Sequence, residues 1–311
     1  MKKTVLFAAA LVMFAAASTA RAGDSVLLRL NFQKGDVCPL DYETKTLVKE
    51  TVMGIPVEVD QTILFRYTYE VTNVLEDGTA GIRIIYSDLS VRKSQAGNET
   101  SYDSSVTNAV VPDSLKTYAF FKGLRISLAC TPRGEVVDFS GMSGLIAKIR
   151  QQMASNDTAF AKTVMDSIEK QFSDDSMKQM FQTIMGYFPE KPVKPGAVWT
   201  MKNAVNFIFP ITMVTRYRLV SVEADTIVLG LSSKYRMNSA GGGIFGSMGI
   251  SLKMQGDLSG TMTISRTNGF VVSSESTQNL KGTIRIGKPV VKKDIVAPMT
   301  AVATIRISRR Q

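Results

Sequence analysis

The sequence predicts a mainly β, α+β protein: curved antiparallel sheets, in one β module or two related ones, with a short helical insertion. Three observations carry this. Apolar and polar residues alternate over long stretches on both sides of the middle of the chain. The period changes to that of a helix between about residues 143 and 186. A proline-rich segment then returns the chain to alternation.

Taken in order, Leu28, Leu30 and Phe32 alternate with Arg29 and Asn31, and Phe65, Tyr67, Tyr69 and Val71 alternate with Arg66, Thr68 and Glu70. Successive side chains of a strand point to opposite faces, so each run reads as a strand with one buried face. Asp77-Gly78 lies between Val74 and Ile82 and suits a tight hairpin turn, so strand, turn and strand are expected over about 62–92. A second hairpin is expected over 124–139, turning at Thr131-Pro132-Arg133-Gly134.

Phe160, Val164, Ile168 and Phe172 recur at four-residue spacing, which puts them on one stripe of a helix. Leu145, Ile146, Ile149 and Met153 form a stripe before them, and Met177, Phe181, Ile184 and Met185 form one after. Asn156-Asp157 and Ser173-Asp174-Asp175 sit where capping residues and first-turn acids belong. Two or three short helices are therefore expected over 143–186. Pro189, Pro192 and Pro195 end them in a stiff connector, and strands resume after Trp199.

The chain thus divides into a leader over 1–22, a first β module over 23–141, a helical insertion over 142–187 and a second β module over 188–311. The two modules form one domain or two. Tyr69-Glu-Val-Thr-Asn-Val74 aligns with Tyr217-Arg-Leu-Val-Ser-Val222, and Arg133-Gly-Glu-Val-Val137 with Asn268-Gly-Phe-Val-Val272. Internal duplication and the general likeness of hairpins both account for these matches.

The leader has the form of an export signal. Lys2 and Lys3 precede an apolar run over 4–18, and Ala20-Arg21-Ala22 offers a small-x-small cleavage site before Gly23. That run is shorter than the ~18 residues a membrane-spanning helix needs. With no cysteine beside the site, the expected product is periplasmic or secreted and not a lipoprotein. In an oxidising compartment Cys38 and Cys130, the two cysteines of the chain, are candidates for a disulfide or stand as separate thiols. A bond closing so long a loop contributes on the order of 4 kcal/mol in the loop-entropy picture.

Residues 23–280 balance in charge, and the excess lies beyond them. Lys281, Arg285, Lys288, Lys292, Lys293, Arg306, Arg309 and Arg310 face only Asp294. Such an end suits an anionic surface or is a solvated face; nucleic acid is not an expected partner of an exported chain.

The chemistry is bounded by the absence of histidine. Ser-His-Asp and Cys-His mechanisms and His-containing metal sites are excluded, and two cysteines do not build a structural zinc site. Ser90–Lys93 and Ser167–Lys170 have Ser-x-x-Lys spacing but no companion motifs. Glu76-Asp77 and Asp174-Asp175 are explained by a turn and a helix start. The glycine-rich stretch over 241–249 has neither the Gly-Lys-Ser/Thr ending of a phosphate loop nor a dinucleotide spacing. An outer-membrane barrel is disfavoured by the helical insertion and by an aromatic content of 8%.

The chain resembles a family of uncharacterised bacterial secreted proteins known only as a domain of unknown function. The resemblance rests on 69–78, on 121–128 with Thr131-Pro-Arg-Gly-Glu-Val-Val137, and on the proline connector over 188–199. It implies architecture and export and supplies no activity. The expectation is therefore a non-catalytic envelope protein with no catalytic, metal or cofactor residues. Either it encloses an apolar or lipid-like ligand, or it is an interaction protein that uses sheet edges and the basic C-terminal segment on an envelope partner. Phe160, Val164, Ile168 and Phe172 of the helices and Ile244 and Phe245 of the glycine-rich stretch are the candidate ligand or partner contacts.

Overall fold

The computed structural model describes residues 25–153, 159–206, 210–238, 246, 249–288 and 290–310; the expected leader lies outside them. The strands are β1 (Val37–Val52), β2 (Ile55–Val74), β3 (Ala80–Gln95), β4 (Asn98–Asp103), β5 (Arg125–Cys130) and β6 (Val136–Ser140), then β7 (Val198–Asn206), β8 (Pro210–Val222), β9 (Thr226–Asn238), β10 (Ile250–Ser265), β11 (Val271–Ile286) and β12 (Ile295–Arg309). A helical turn at Asp113–Leu115 runs into α1 (Lys116–Ala119), and α2 (Ser143–Met153), α3 (Ala159–Gln171) and α4 (Asp174–Met185) separate β6 from β7.

All twelve strands form one antiparallel sheet in the order β6-β5-β3-β2-β1-β12-β11-β10-β9-β8-β7, with β4 added to β3. The two expected modules therefore meet along β1 and β12, in register from Leu40 opposite Arg309 to Glu50 opposite Met299. The sheet is not closed: β6 and β7 do not pair with each other, and α4 contacts both. Met53-Gly54 and Ala96-Gly97 supply tight turns that join β1 to β2 and β3 to β4, all four residues having positive φ (52°, 82°, 51° and 79°).

The expected first strand is a correction. Leu28, Leu30 and Phe32 are buried as the alternation requires, but they lie outside every named strand. Their backbone laces across the ends of other elements: Val26 bridges Val193, Leu30 N–H donates to Pro132 O (2.7 Å), and Asn31 N–H donates to Asn268 O (3.1 Å). Alternation reports a buried side and does not say what pairs with the backbone.

The two halves are built alike at matching points. Gly35 N–H donates to Val71 O and Val71 N–H to Asp36 O, both at 2.9 Å. In the second half Gly196 N–H donates to Leu219 O (2.7 Å) and Leu219 N–H to Ala197 O (3.0 Å). A bulge follows in each strand, between Val71 and Asn73 in β2 and between Leu219 and Ser221 in β8. The aligned turn glycines, Gly134 and Gly269, both take positive φ (82° and 76°). In this frame α4 fills the gap between β6 and β7, whereas β12 fills the gap between β11 and β1.

The core occupies one end of the inner face. Leu28, Leu30 and Phe32 join Ile82, Ile84, Ile126, Phe139, Leu145, Phe181, Phe188, Leu219 and Leu229 in the main cluster. A smaller cluster of Leu89, Val91, Tyr102 and Leu115 holds the segment around α1 against β2, β3 and β4.

Candidate functional site: the uncovered inner face and its cleft

The inner face is best followed in rows across the sheet. Near the core the row Ile63, Thr44, Ile305, Ser276, Gly260, Leu231, Tyr217 and Trp199 runs from β2 to β7. Leu231, Tyr217 and Trp199 belong to or pack on the main cluster, and Trp199 Nε1–H donates to Tyr187 O at 2.8 Å. Two rows further out stand Val59, Val48, Ala301, Leu280, Gly256 and Tyr235, and beyond them Val57, Glu50, Met299, Gly282, Met254 and Met237. None of these twelve residues belongs to either core cluster. They are nevertheless buried or half-buried, while their neighbours along each strand, such as Lys49, Glu58, Lys253, Lys281 and Thr300, are exposed. This is a one-sided face that continues past its helical cover.

Glycine shapes that face. A Cβ on Gly256 would strike the backbone of Asn279, and one on Gly282 the backbone of Lys253, so β10 and β11 approach too closely there for any side chain. An open cleft of about 1030 Å³ crosses the outer ends of β2, β1, β12, β11, β10 and β9. Its lining contains the whole outermost row together with Lys49, Arg236, Lys253 and Lys281.

The helices close the other side. Met177, Phe181 and Met185 of α4 are buried, and Ser173 caps the helix by accepting from Ser176 N–H. The exposed edge of β6 is satisfied by side chains: Gln182 accepts from Val136 N–H at 2.7 Å and donates to Gly134 O at 3.3 Å, and Lys178 Nζ donates to Val137 O at 2.7 Å.

The helical candidates divide. Val164 is buried, Ile168 is half-buried, and Phe172 is half-buried against the main cluster. Phe160 falls in α3, and its side chain lies outside the described residues, as do Ile244 and Phe245. α3 packs on α2 and α4, and the lining of the outer cleft comes from strands alone, so Val164 and Ile168 are not part of it. Sequence reasoning missed the lining residues Met237, Met254 and Met299. Their alternation was visible, but the pairing of β1 with β12 that brings them into one row was not.

Of the two readings open for Cys38 and Cys130, the structure has the separate thiols. Cys38 and Cys130 are free, buried thiols. β2 and β3 lie between β1 and β5, so roughly 14 Å of sheet separates the two strands, well beyond disulfide reach. Burial raises both thiols, that of Cys130 to about 12.

Part of the basic C-terminal excess is paired. Arg285 meets Asp294, Arg306 meets Glu275 at 3.0 Å, and Arg310 lies 3.2 Å from Asp41. Arg236, Lys253 and Lys281 have no ion-pair partner among the described residues.

A family model described as a family of unknown function, DUF6263, matches residues 77–271, from the β2–β3 turn to the start of β11. No curated protein matches. Among solved structures the chain is similar to lipovitellin, solved in a study of its lipid–protein interactions, at 7% identity and a TM-score of 0.46; the match covers 90% of this chain and 25% of that one. It is also similar to DynF from the dynemicin biosynthesis pathway of Micromonospora chersina (8% identity, TM-score 0.21, covering 100% and 97% of the two chains). A third likeness is to the β domain of the Bordetella autotransporter BrkA (7% identity, TM-score 0.22, covering 88% and 100%).

Proposed function

This chain belongs to DUF6263, a family of unknown function, and we propose that it is a non-catalytic exported protein that holds an apolar, lipid-like ligand along the uncovered part of its sheet. The observation that carries the reading is the pair of outer rows: apolar or small side chains at every position but Glu50, buried or half-buried, that join no described core cluster. A face of that kind gains free energy by exchanging water for hydrocarbon, at about 25 cal/mol for each Å² covered. The adjoining cleft, at about 1030 Å³, is at the upper end of what ligand sites commonly offer, which suits a chain-like molecule. Methionine at three of its positions supplies deformable packing for such a chain.

The non-catalytic part rests on chemistry. The chain has no histidine, and its two thiols are buried and held protonated, so neither serves as a nucleophile at neutral pH. The exported part rests on the leader at 1–22.

The test is native mass spectrometry of the processed protein from the envelope, paired with titration of a fluorescent fatty acyl probe. The expected result is an added mass of a few hundred daltons that is lost on denaturation, and saturable probe uptake. Ala301→Trp, which fills the middle of the trough, should abolish uptake while the protein stays folded. A bare protein mass together with no saturable uptake overturns the reading.

A further inference from the structure

We propose that the outer face of the second half of the sheet is a docking surface for an anionic lipid bilayer; this stands apart from the ligand reading, which concerns the opposite face. Side chains alternate along a strand, so the residues between those of the inner rows point outward. On β7 to β11 that outward set contains Lys202, Arg216, Arg218, Lys234, Arg236, Lys253 and Lys281, all exposed. The register collects them into one patch. Lys202 and Lys234 both lie opposite Val214, Arg236 lies opposite Thr212 and Gln255, and Gln255 also lies opposite Lys281. Arg216 lies opposite Ser232, Arg218 opposite Gly230, and Lys253 opposite Asn238. From the Gly230 row to the Asn238 row the patch runs ~27 Å along β9, and from β7 to β11 it spans ~19 Å across the strands.

The charge of this patch is not spent inside the protein. None of these cations has an ion-pair partner among the described residues. On the outer face of the first half, by contrast, Lys45, Lys49, Arg83 and Arg92 are paired with Glu43, Glu58, Glu70 and Glu99. Arg285 and Arg306, basic residues of the C-terminal segment, are likewise neutralised by Asp294 and Glu275, so that segment gives the patch Lys281. Asp257, half-buried opposite Lys234, offsets one charge and leaves a large positive surplus. Exposed valines lie among the cations: Val198 opposite Arg218, and Val214 between Lys202 and Lys234. A shallow depression of about 480 Å³ is lined by Arg216, Arg218, Gly230, Ser232 and Ser259, a donor set suited to phosphate. A two-dimensional array of cations with hydrocarbon between them matches a headgroup layer, where charge and acyl chain lie close together. A linear acidic polymer needs only a track of charge and gains nothing from the valines.

The experiment titrates the processed protein with vesicles of phosphatidylcholine alone and of phosphatidylcholine with a third phosphatidylglycerol, at low and at physiological salt. The expected result is at least tenfold tighter binding to the anionic vesicles, weakening with salt. The R216Q, R218Q and R236Q triple variant should lose about a hundredfold of that affinity, at about fivefold for each basic residue near an anionic surface. The K45Q, K49Q and R92Q triple variant removes the same net charge from the other half and should bind as the wild type does. These side chains are exposed, so folding is checked by an unchanged melting temperature. Ala301→Trp, which fills the trough on the inner face, should leave vesicle binding unchanged and so separates this surface from the ligand site. Equal binding to both vesicles, binding to neither, or a patch variant that keeps its affinity overturns the proposal. So do equal losses in the two triple variants, which would make net charge and not this face the cause. Double-stranded DNA bound as tightly as the anionic vesicles would assign the face to an acidic polymer and overturn the bilayer.

Discussion

Among single residues the clearest consequences come from buried hydroxyls and thiols. Burial raises Tyr69, Tyr67, Tyr187 and Tyr217 well above the usual phenol range, Tyr86 to about 12, and the Cys130 thiol to about 12. In each case the folded state binds its proton more tightly than the unfolded state does. The resulting stability is complete below the unfolded pKa values, near 9 for thiol and 10 for phenol, and is lost as pH rises toward 12. Melting temperature should accordingly be flat between pH 6 and 8 and fall steeply above about pH 9.5. A protein that melts at the same temperature at pH 7 and pH 11 would contradict the burial of these groups. A thiol reagent at pH 8 should leave both cysteines unmodified in the folded chain and label both in denaturant, with no mass difference on reduction.

Glycine provides a second test at this scale, one that separates backbone strain from collision. Gly35 and Gly134 both have positive φ, 92° and 82°, but a Cβ on Gly35 meets nothing within 4 Å, whereas one on Gly134 would strike the Met185 carbonyl. Gly35→Ala should cost about 1–2 kcal/mol, the ordinary left-handed penalty. Gly134→Ala should cost clearly more in urea denaturation, because α4 must also move off the β5–β6 turn. Gly134 was visible in the sequence as part of a turn. That it touches a helix some fifty residues away was not, because no local pattern encodes a tertiary approach.

For the elements, local rules worked where the element satisfies itself and failed where a partner decides. The four-residue stripes and the Ser173 cap located the helices because helical hydrogen bonds close within a few residues. The Asp77-Gly78 hairpin was legible for the same reason. The segment at Leu28, Leu30 and Phe32 has the pattern of a strand yet donates to turn carbonyls of both halves, a choice made by residues a hundred or more positions away. The candidate site fared likewise. Stripes singled out Val164, which is buried, and Phe172, which packs on the main cluster, while the methionines of the cleft lie on separate strands that only the sheet order aligns. The α4–β6 seam is the element contact most open to test. Gln182→Ala removes the acceptor of Val136 N–H and the donor to Gly134 O together, leaving a part-buried amide unsatisfied. The expected cost is about 1–3 kcal/mol, with faster amide exchange at Val136 than in the wild type. Gln179→Ala, on the exposed side of the same helix, should do neither.

For the whole molecule, the matching halves raise the question of whether they unfold as two units. The geometry argues for one. β1 and β12 are paired over eleven consecutive positions, so the boundary between the halves is an unbroken stretch of the same sheet. The N-terminal segment ties Pro132 of the first half and Asn268 of the second through adjacent residues, and Leu28 within it is 1% exposed. One main cluster draws Ile82 and Phe139 from the first half and Leu219 and Leu229 from the second. Calorimetry should show a single transition with equal calorimetric and van't Hoff enthalpies. Leu28→Ala should lower that transition by the ~2–5 kcal/mol of a buried leucine truncation, without splitting it. Two resolved transitions, or a Leu28→Ala variant that shifts only part of the unfolding heat, would mean that the seam and the lacing segment do not couple the halves. The uncovered rows would then lie on a joint able to flex, and the cleft would change its width with it. A single transition instead fixes the spacing of the six strands that line the cleft, which is what a preformed binding surface requires.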